Sequence, residues 1–206
     1  MPGPTKEFWA ERFATQTWGW DRGAAHPQLR RWLADGLITP EHVVVIPGCG
    51  RGHELRVLGE AGVAAIGLDY TPAAVELARQ QIESLPGRVE LADVLEWQPP
   101  APLDRVYEQT CLCALHPDRW QTYASQLHAW LKPGGLLLAN FMQARRPGAA
   151  QGVVEGPPYH CDINAMRSLL PAARWDWPAP PYASTAHAPT PQSSEWFELG
   201  VVLRRR

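Results

Sequence analysis

The chain is organised around Val43-Val44-Val45-Ile46-Pro47-Gly48-Cys49-Gly50-Arg51-Gly52-His53-Glu54, which a second apolar run follows, Val63-Ala64-Ala65-Ile66-Gly67-Leu68-Asp69. Both apolar runs are too short for a helix, and alternating glycines separate the first run from a helical pattern. The order predicts strand, tight turn, helix and strand. Glycines let the backbone approach a ligand, and an acid at the end of the second strand can accept hydrogen bonds from both ribose hydroxyls. The stretch therefore predicts a βαβ unit that holds a nucleoside.

The spacing of the glycines indicates which nucleoside. A dinucleotide site requires G-x-G-x-x-G, but here Gly48-x-Gly50-x-Gly52 leaves His53 at the third glycine position. The phosphate loop G-x-x-x-x-G-K-[ST] is also missing from the sequence. Such a turn suits a nucleoside without phosphate, of which S-adenosylmethionine is the common one. The turn alone fits an ordinary strand-to-helix connection equally well, but Asp69, about twenty residues further on, favours the nucleoside.

Composition and charge limit the classes of function. The 206 residues fit one domain that buries about 70 per cent of its unfolded surface. The net charge of −2 provides no basic field for nucleic acid. No apolar stretch approaches the ~20 residues needed to cross a membrane, and charged residues stand where a signal peptide would be apolar. We expect a cytoplasmic protein with a small-molecule acceptor and no nucleic-acid, membrane or obligatory protein partner.

The four cysteines do not predict a metal site. They are Cys49, Cys111, Cys113 and Cys161, and none forms a C-x-x-C pair. The C-x-C at 111 and 113 has no second half with zinc spacing. We therefore expect free thiols that are buried or line a site.

Helical and strand patterns alternate along the chain. Helices are predicted at 5–13, 27–33, 71–85, 117–130 and 162–170, with a further helical pattern after the glycine turn, and strands at 43–47, 63–69, 89–91, 103–110, 136–141, 174–177 and 196–203. This alternation predicts a parallel sheet covered on both faces. Residues 143–159 are irregular and leave the carboxyl end of a strand, which favours a lid or a substrate wall. Residues 178–194 are predicted to be a long connection.

Six short sequence motifs, taken together, resemble those of a known protein family. They are Trp9 with Trp20-Asp21-x-Gly23, Pro47-Gly48-Cys49-Gly50-x-Gly52, Gly67-Leu68-Asp69-Tyr70-Thr71-Pro72-Ala73-Ala74, Tyr107-Glu108-Gln109-Thr110-Cys111-Leu112-Cys113-Ala114-Leu115, Leu131-Lys132-Pro133-Gly134-Gly135, and Gly156-Pro157-Pro158-Tyr159. With these motifs nearly the whole chain resembles the class I S-adenosylmethionine-dependent methyltransferases, and more narrowly the thiopurine, thiol and halide methyltransferase family.

The resemblance implies an α/β fold, a three-layer αβα Rossmann-like sandwich. Its sheet would be seven-stranded and mostly parallel, in the order 3-2-1-4-5-7-6 with strand 7 antiparallel. Residues 1–206 would form a single methyltransferase domain. Within it, 1–40 would be an N-terminal helical lid, 41–142 the cofactor-binding core, and 143–206 the substrate-side insertion with the C-terminal strands.

The resemblance also implies which residues contact S-adenosylmethionine: Trp9, Phe13, Trp20, Gly48, Gly50, Asp69, Asp93, Val94 and Gln109. Two depart from the family pattern, because Phe13 stands where a tryptophan is frequent and Gln109 where a tyrosine or arginine is usual. The cofactor's sulfonium is a cation without donors, so aromatic faces suit it through cation–π attraction of up to ~2 kcal/mol. Asp93 can accept from the adenine amino group or, alternatively, stabilise a turn.

Tyr159 and Asp21 are the predicted substrate-facing residues. Tyr159 ends the Gly-Pro-Pro motif and either lines the pocket or packs. Asp21 either accepts a proton through water or fixes the Trp20 loop. Transfer to a thiolate removes charge in the transition state, so a dry pocket matters more than a catalytic dyad.

The predicted function is methyl transfer to a small soft nucleophile, a thiol, sulfide or thiopurine sulfur. Methylation of a halide or of an oxygen or nitrogen acceptor is the alternative. A non-catalytic S-adenosylmethionine-binding module is a more remote one, because the lid and turn are intact.

Overall fold

The computed structural model describes residues 3–187 and 195–206. Its helices are α1 (Lys6–Ala14), α2 (Pro27–Ala34), α3 (His53–Glu60), α4 (Pro72–Gln81), α5 (Cys111–Ala114), α6 (Trp120–Trp130) and α7 (Ile163–Leu169). Its strands are β1 (Val44–Pro47), β2 (Ala65–Asp69), β3 (Gly87–Leu91), β4 (Leu103–Gln109), β5 (Leu131–Gln143), β6 (Trp175–Asp176), β7 (Ala183–Ala186) and β8 (Phe197–Arg205). Among these residues, no helix has the length and apolar character that crossing a membrane requires.

The strands form one sheet in the order β3-β2-β1-β4-β5-β8-β6, with β7 paired to β8. The five strands from β3 to β5 are parallel neighbours, whereas β8 runs antiparallel to β5. Counting β8 as the seventh strand of the family and β6 as the sixth, the predicted order and the antiparallel strand are confirmed.

Two apolar cores lie on opposite faces of the sheet, as the alternation of side chains along β4 shows. Val106 belongs to the core that contains Trp130 of α6, and the next residue, Tyr107, belongs to the core that contains Leu58 of α3. Successive residues of a strand point to opposite faces. The predicted three-layer sandwich is therefore confirmed.

The sheet has one strand more than expected. Strand β7 lies within 178–194, which was predicted to be a connection, and residues 188–194 lie outside the described part of the chain. Strand β6 pairs with only Arg204 and Arg205 of β8. Strand β7 pairs the beginning of β8 on that edge, with Ala183 opposite Gly200 and Ala186 opposite Phe197. An unpaired strand edge leaves backbone donors and acceptors unsatisfied, which favours the pairing of β7 although it lacks an apolar pattern.

Strand β5 is longer than its predicted range of 136–141. Leu131 pairs with Leu103, and the register then jumps so that Leu136 pairs with Arg105. Lys132-Pro133-Gly134-Gly135 is therefore a bulge within the strand, and helix α6 ends before it.

The carboxyl ends of β1, β2 and β4 bring Gly48, Asp69 and Gln109 to one edge of the sheet, where ligands bind in open α/β sheets. Helix α1 packs against α4 beside this edge. The short helix α5 was not predicted. It follows β4 directly, and the buried Glu108 caps it because Oε1 accepts the Leu112 N–H at 2.7 Å.

Candidate active site

The three glycines of the first turn all have left-handed backbone conformations, with φ of 60°, 52° and 81° at Gly48, Gly50 and Gly52. A Cβ at Gly48 would lie 3.0 Å from the Cys111 sulfur, and one at Gly52 would lie 2.9 Å from Ala78 Cα. A Cβ at Gly50 would meet no atom within 4 Å. Two glycines therefore allow close packing, while the middle one borders open space.

Asp69 is joined to this turn. One carboxylate oxygen accepts the Gly50 N–H at 3.1 Å and the other accepts the Thr71 N–H at 2.9 Å. Burial raises the pKa of Asp69, and the two backbone donors only partly oppose this. Each oxygen keeps a further lone pair, so the carboxylate can still accept from two hydroxyls.

The predicted aromatic residues of the lid form one cluster. The rings of Trp9 and Trp20 lie 5.2 Å apart, edge to face, and those of Phe13 and Trp20 lie 6.0 Å apart. Trp20 is the member that reaches the pocket beside the glycine turn.

This pocket lies between the glycine turn and the loop of residues 15–26 that joins α1 to α2, which we call the lid loop. It is lined by Trp20, Asp21, Arg22, Ala24, Ile46, Gly48, Cys49, Gly50, Arg51, His53, Glu54, Gln109 and Thr110. Of the predicted site residues it brings together Trp20, Asp21, Gly48, Gly50 and Gln109. Asp69 joins them through Gly50, and Trp9 and Phe13 join through Trp20.

Asp21 is the centre of a polar cluster that we call the latch, formed by Asp21, Arg51 and His53. Asp21 Oδ2 accepts from Arg51 Nη1 at 3.0 Å, and Oδ1 lies 3.0 Å from His53 Nε2. Asp21 Oδ1 also accepts the Gly23 N–H at 2.6 Å. Burial raises the pKa of Asp21, but these partners outweigh it and lower the pKa to about 2. The latch fastens the lid loop to the glycine turn.

Gln109 belongs to a second cluster, which we call the hub: Glu198, Arg22, His26, His187 and Gln109. Glu198 Oε1 accepts from Arg22 Nη2 at 2.8 Å and lies 2.7 Å from His187 Nδ1. Glu198 Oε2 accepts from Gln109 Nε2 at 2.7 Å and lies 3.1 Å from His26 Nε2.

Glu198 is fully buried, with 0% of its side chain exposed. Burial raises its pKa, but the adjacent His187, His26 and Arg22 outweigh burial and hold the pKa well below the usual range of a glutamate. The hub is therefore centred on a buried carboxylate. In the described part of the chain no group of three or more His, Cys, Asp or Glu side chains is placed to hold a metal ion.

Three further predicted residues, Asp93, Val94 and Tyr159, neither line this pocket nor are joined to it through a lining residue. Asp93 Oδ1 accepts the Leu95 N–H at 2.8 Å, which is the turn-stabilising contact held open as its alternative. The Val94 side chain packs in the core. Tyr159 is 5% exposed, and its ring packs edge to face on His116 at 5.3 Å. Their roles at the adenine and the acceptor stay predictions.

The four cysteines are free and buried, as expected. Burial raises the pKa of each of them, Cys49, Cys111, Cys113 and Cys161. A thiol must ionise to act as a nucleophile, so these side chains are suited to packing.

Sequence reasoning missed most of the charged residues around the pocket. Arg22 and Arg51 occupy the unassigned positions of Trp20-Asp21-x-Gly23 and Gly50-x-Gly52, so their place beside the motifs was an available signal. No sequence signal marked Glu198 or His187. Glu198, for example, lies 176 positions from its partner Arg22, so no local pattern links the two.

Comparisons with known proteins agree on one family. The model of the family described as Thiopurine S-methyltransferase matches residues 4–179. The chain is 26% identical over 167 residues to "Probable thiol methyltransferase 2" of Arabidopsis thaliana, covering 79% of this chain and 70% of that protein. It is 24% identical over 182 residues to "Thiopurine S-methyltransferase" of Nitrosospira multiformis, covering 80% of each.

Solved structures agree on the fold. The 1,6-didemethyltoxoflavin-N1-methyltransferase of Burkholderia thailandensis, with bound S-adenosylhomocysteine, matches with a TM-score of 0.72 at 21% identity, covering 97% of this chain and 86% of that one. Magnesium protoporphyrin IX methyltransferase of Synechocystis matches with a TM-score of 0.72 at 15% identity, covering 98% and 99%. Because the family model spans most of the chain, this protein belongs to the thiopurine S-methyltransferase family.

Proposed function

We propose that this methyltransferase uses S-adenosylmethionine to methylate the sulfur of a small thiol, sulfide or thiopurine, in the pocket between the lid loop and the glycine turn. The observation that carries the proposal is the open space at Gly50 beside the Asp69 carboxylate and under Trp20. The names of the relatives, for thiol, thiocyanate and thiopurine methylation, support a sulfur acceptor.

The residues at the turn fit the cofactor. Gly50 leaves room where any other side chain would fill space. Asp69 is held in place by two backbone donors and keeps acceptor capacity for ribose hydroxyls. The cluster of Trp9, Phe13 and Trp20 presents aromatic surface beside the turn, which suits a sulfonium.

When bound, S-adenosylmethionine supplies a methyl group on a positively charged sulfur. The chain's own task is to hold the reactants in line and to exclude water. Trp20 and the latch close the pocket on the lid side. Because an anionic sulfur nucleophile loses its charge in the transition state, a dry pocket favours reaction.

No strong base is required of the chain. A free thiol has a pKa of about 8.5 and supplies some thiolate at neutral pH. Asp21 is a weak base, because its partners lower its pKa to about 2. Of its two predicted roles we therefore favour fixing the Trp20 loop over accepting a proton. Tyr159 is proposed as an acceptor-side residue on the strength of its motif.

We place the protein in the cytoplasm. Its four free cysteines are compatible with a reducing compartment, where thiols stay unpaired. A small-molecule acceptor is the partner that the proposed reaction requires.

The acceptor is tested with methyl-labelled S-adenosylmethionine and a panel of thiols, thiopurines, thiocyanate, iodide and catechols. We expect label in the sulfur products. Methylation of catechols alone would overturn the soft-nucleophile argument, and methylation of iodide alone would favour the halide alternative. Absence of transfer to any acceptor, together with calorimetric binding of the cofactor, would indicate a binding module.

A further inference from the structure

The hub is a buried polar cluster centred on a carboxylate that the proposed reaction does not use. Its carboxylate, Glu198, meets Arg22 from the lid loop, His26 at the start of α2, Gln109 at the end of β4 and His187 after β7. Removing a charge from water is costly unless every partner is in place. A buried carboxylate that joins four separate elements therefore indicates a defined task at that position.

Two members of the hub reach the pocket. Arg22 and Gln109 line it, whereas Glu198 has no exposed surface. The hub thus presents donors to the pocket and keeps its negative charge behind them.

The contacts of Gln109 fix the direction of its amide. Its oxygen accepts from Asn140 Nδ2 at 2.7 Å, and its nitrogen donates to Glu198 at 2.7 Å. An amide nitrogen carries two N–H groups, so one donor is left for a ligand.

Arg22 is fixed in a comparable way. Its Nη2 donates to Glu198 at 2.8 Å and to the Ala186 carbonyl at 2.7 Å. These bonds use both N–H groups of Nη2, so a contact with a ligand would come from Nε or Nη1. A single charged N–H donor from either of these nitrogens suits a carboxylate oxygen.

On the latch side the same pocket is lined by an acid and by an arginine that already pairs with it. There Asp21 itself lines the pocket, and Arg51 is occupied by Asp21 and by the Trp18 ring, which lies 4.1 Å from its guanidinium carbon. A carboxylate on the ligand would be repelled by Asp21. Glu54 also lines the pocket and accepts the His26 N–H at 2.9 Å. An anionic group is therefore better placed at the donors Arg22 and Gln109 than beside either acid.

We propose that Glu198 is a positioning residue that holds Arg22 and Gln109 as a binding wall for the carboxylate at the amino-acid end of the cofactor. This inference rests on the proposed function, because it takes S-adenosylmethionine as the ligand. Arg22 and Gln109 contact the carboxylate, and Glu198 acts only through them.

The test compares two ligands that share adenosine and a thioether sulfur. S-adenosylhomocysteine has the amino-acid end, and 5′-methylthioadenosine lacks it. Calorimetry gives the dissociation constant of each for the full-length protein, and the ratio of the two measures what the amino-acid end contributes. We expect S-adenosylhomocysteine to bind wild-type protein at least tenfold more tightly.

Arg22→Gln should reduce that ratio at least tenfold by weakening S-adenosylhomocysteine, with methylthioadenosine changed less than twofold. Glu198→Gln should reduce it three- to tenfold in the same selective way, which a merely structural role would not do. Arg56→Gln is the matched control, since Arg56 is 58% exposed and pairs only with Glu60 among the described residues, and its ratio should equal wild type.

An unchanged ratio in Arg22→Gln would overturn the inference, as would equal affinity of wild-type protein for the two ligands. Equal weakening of both ligands in Arg22→Gln would also overturn it, because a general loss of the site is not a carboxylate effect. If Glu198→Gln does not fold, Arg22→Gln still decides the outcome. Wild-type protein that binds neither ligand would instead overturn the proposed function.

Discussion

Two neighbouring residues of the lid loop, Asp21 and Arg22, belong to clusters of similar chemistry whose other members differ in burial. In the latch, the side chains of Arg51 and His53 are 28% and 17% exposed. In the hub, those of Glu198 and His187 are 0% and 4% exposed. Both clusters pair one acid with arginine and histidine. In the latch both partners of the acid reach water, whereas among the charged partners of Glu198 only Arg22, at 18%, is partly exposed.

This difference predicts different mechanical roles. An ion pair that water can reach contributes about 0–1 kcal/mol, so breaking the latch needs little free energy. A buried charge left without its partner costs about 3–5 kcal/mol, so the hub stays assembled. We therefore expect the part of the loop held by the latch, up to Asp21, to open, and the part held by the hub, from Arg22 onward, to stay in place.

The largest effect is expected for Glu198→Ala. It removes the acid that Arg22, Gln109 and two histidines share, so the free energy of unfolding should fall by about 3–5 kcal/mol. Urea denaturation at neutral pH measures it. Glu60→Ala, at an exposed helix pair, is the control and should change stability by less than about 1 kcal/mol. A loss as small as the control's for Glu198→Ala would mean that the hub is no more fixed than the latch.

Asp69→Ala tests the site that lies outside both clusters. Loss of charge-assisted hydrogen bonds to the ribose should weaken S-adenosylhomocysteine binding by about 1.5–3 kcal/mol. Calorimetry measures it, with Asp118→Ala as the control because that side chain is 85% exposed. Unchanged affinity would remove Asp69 from the ribose.

Asp21→Asn tests the latch through pH. Its folded pKa of about 2 lies below the usual 3.8, so Asp21 stabilises the protein above pH 3.8 and loses this contribution as pH falls towards 2. Because the partners of Asp21 are partly exposed to water, which screens the interaction, this contribution is about 1 kcal/mol. Unfolding free energies at pH 7 and across pH 5 to 2 should show wild type losing this increment and Asp21→Asn lacking it. Parallel curves for the two proteins would contradict the latch.

The smallest effect is expected for Tyr159→Phe. If the hydroxyl faces the acceptor, kcat/KM for the acceptor should fall about three- to tenfold, the size of one hydrogen bond. Affinity for S-adenosylhomocysteine should stay within twofold. Weakened cofactor binding with normal acceptor kinetics would place Tyr159 in the other half of the site.

Local patterns were enough to predict the part of the site that one βαβ unit builds. Strand β1, the three glycines and Asp69 lie within a single stretch, and their roles follow from strand length, backbone freedom and position. The strand order followed from the resemblance. These features could be predicted because each depends on residues close in sequence or on a shared fold.

The hub and β7 could not be predicted in this way. Glu198 contacts Gln109 only because β8 pairs with β5 in the folded sheet. A single acid on a strand produces no periodic pattern that would mark it in the sequence. Strand β7 forms because β6 leaves most of one edge of β8 unpaired, which is a property of the assembled sheet. Asp93 shows the converse, since its turn-stabilising contact is local and was foreseen as an alternative.

The most direct test of the central claim is a competition between two acceptors that differ only in the nucleophilic atom. Thiophenol and phenol are offered together with methyl-labelled S-adenosylmethionine, and the two products are separated and counted. A pocket that works by excluding water around a soft anionic nucleophile predicts the thioether as the main product. Methyl phenyl ether as the main product would contradict the account.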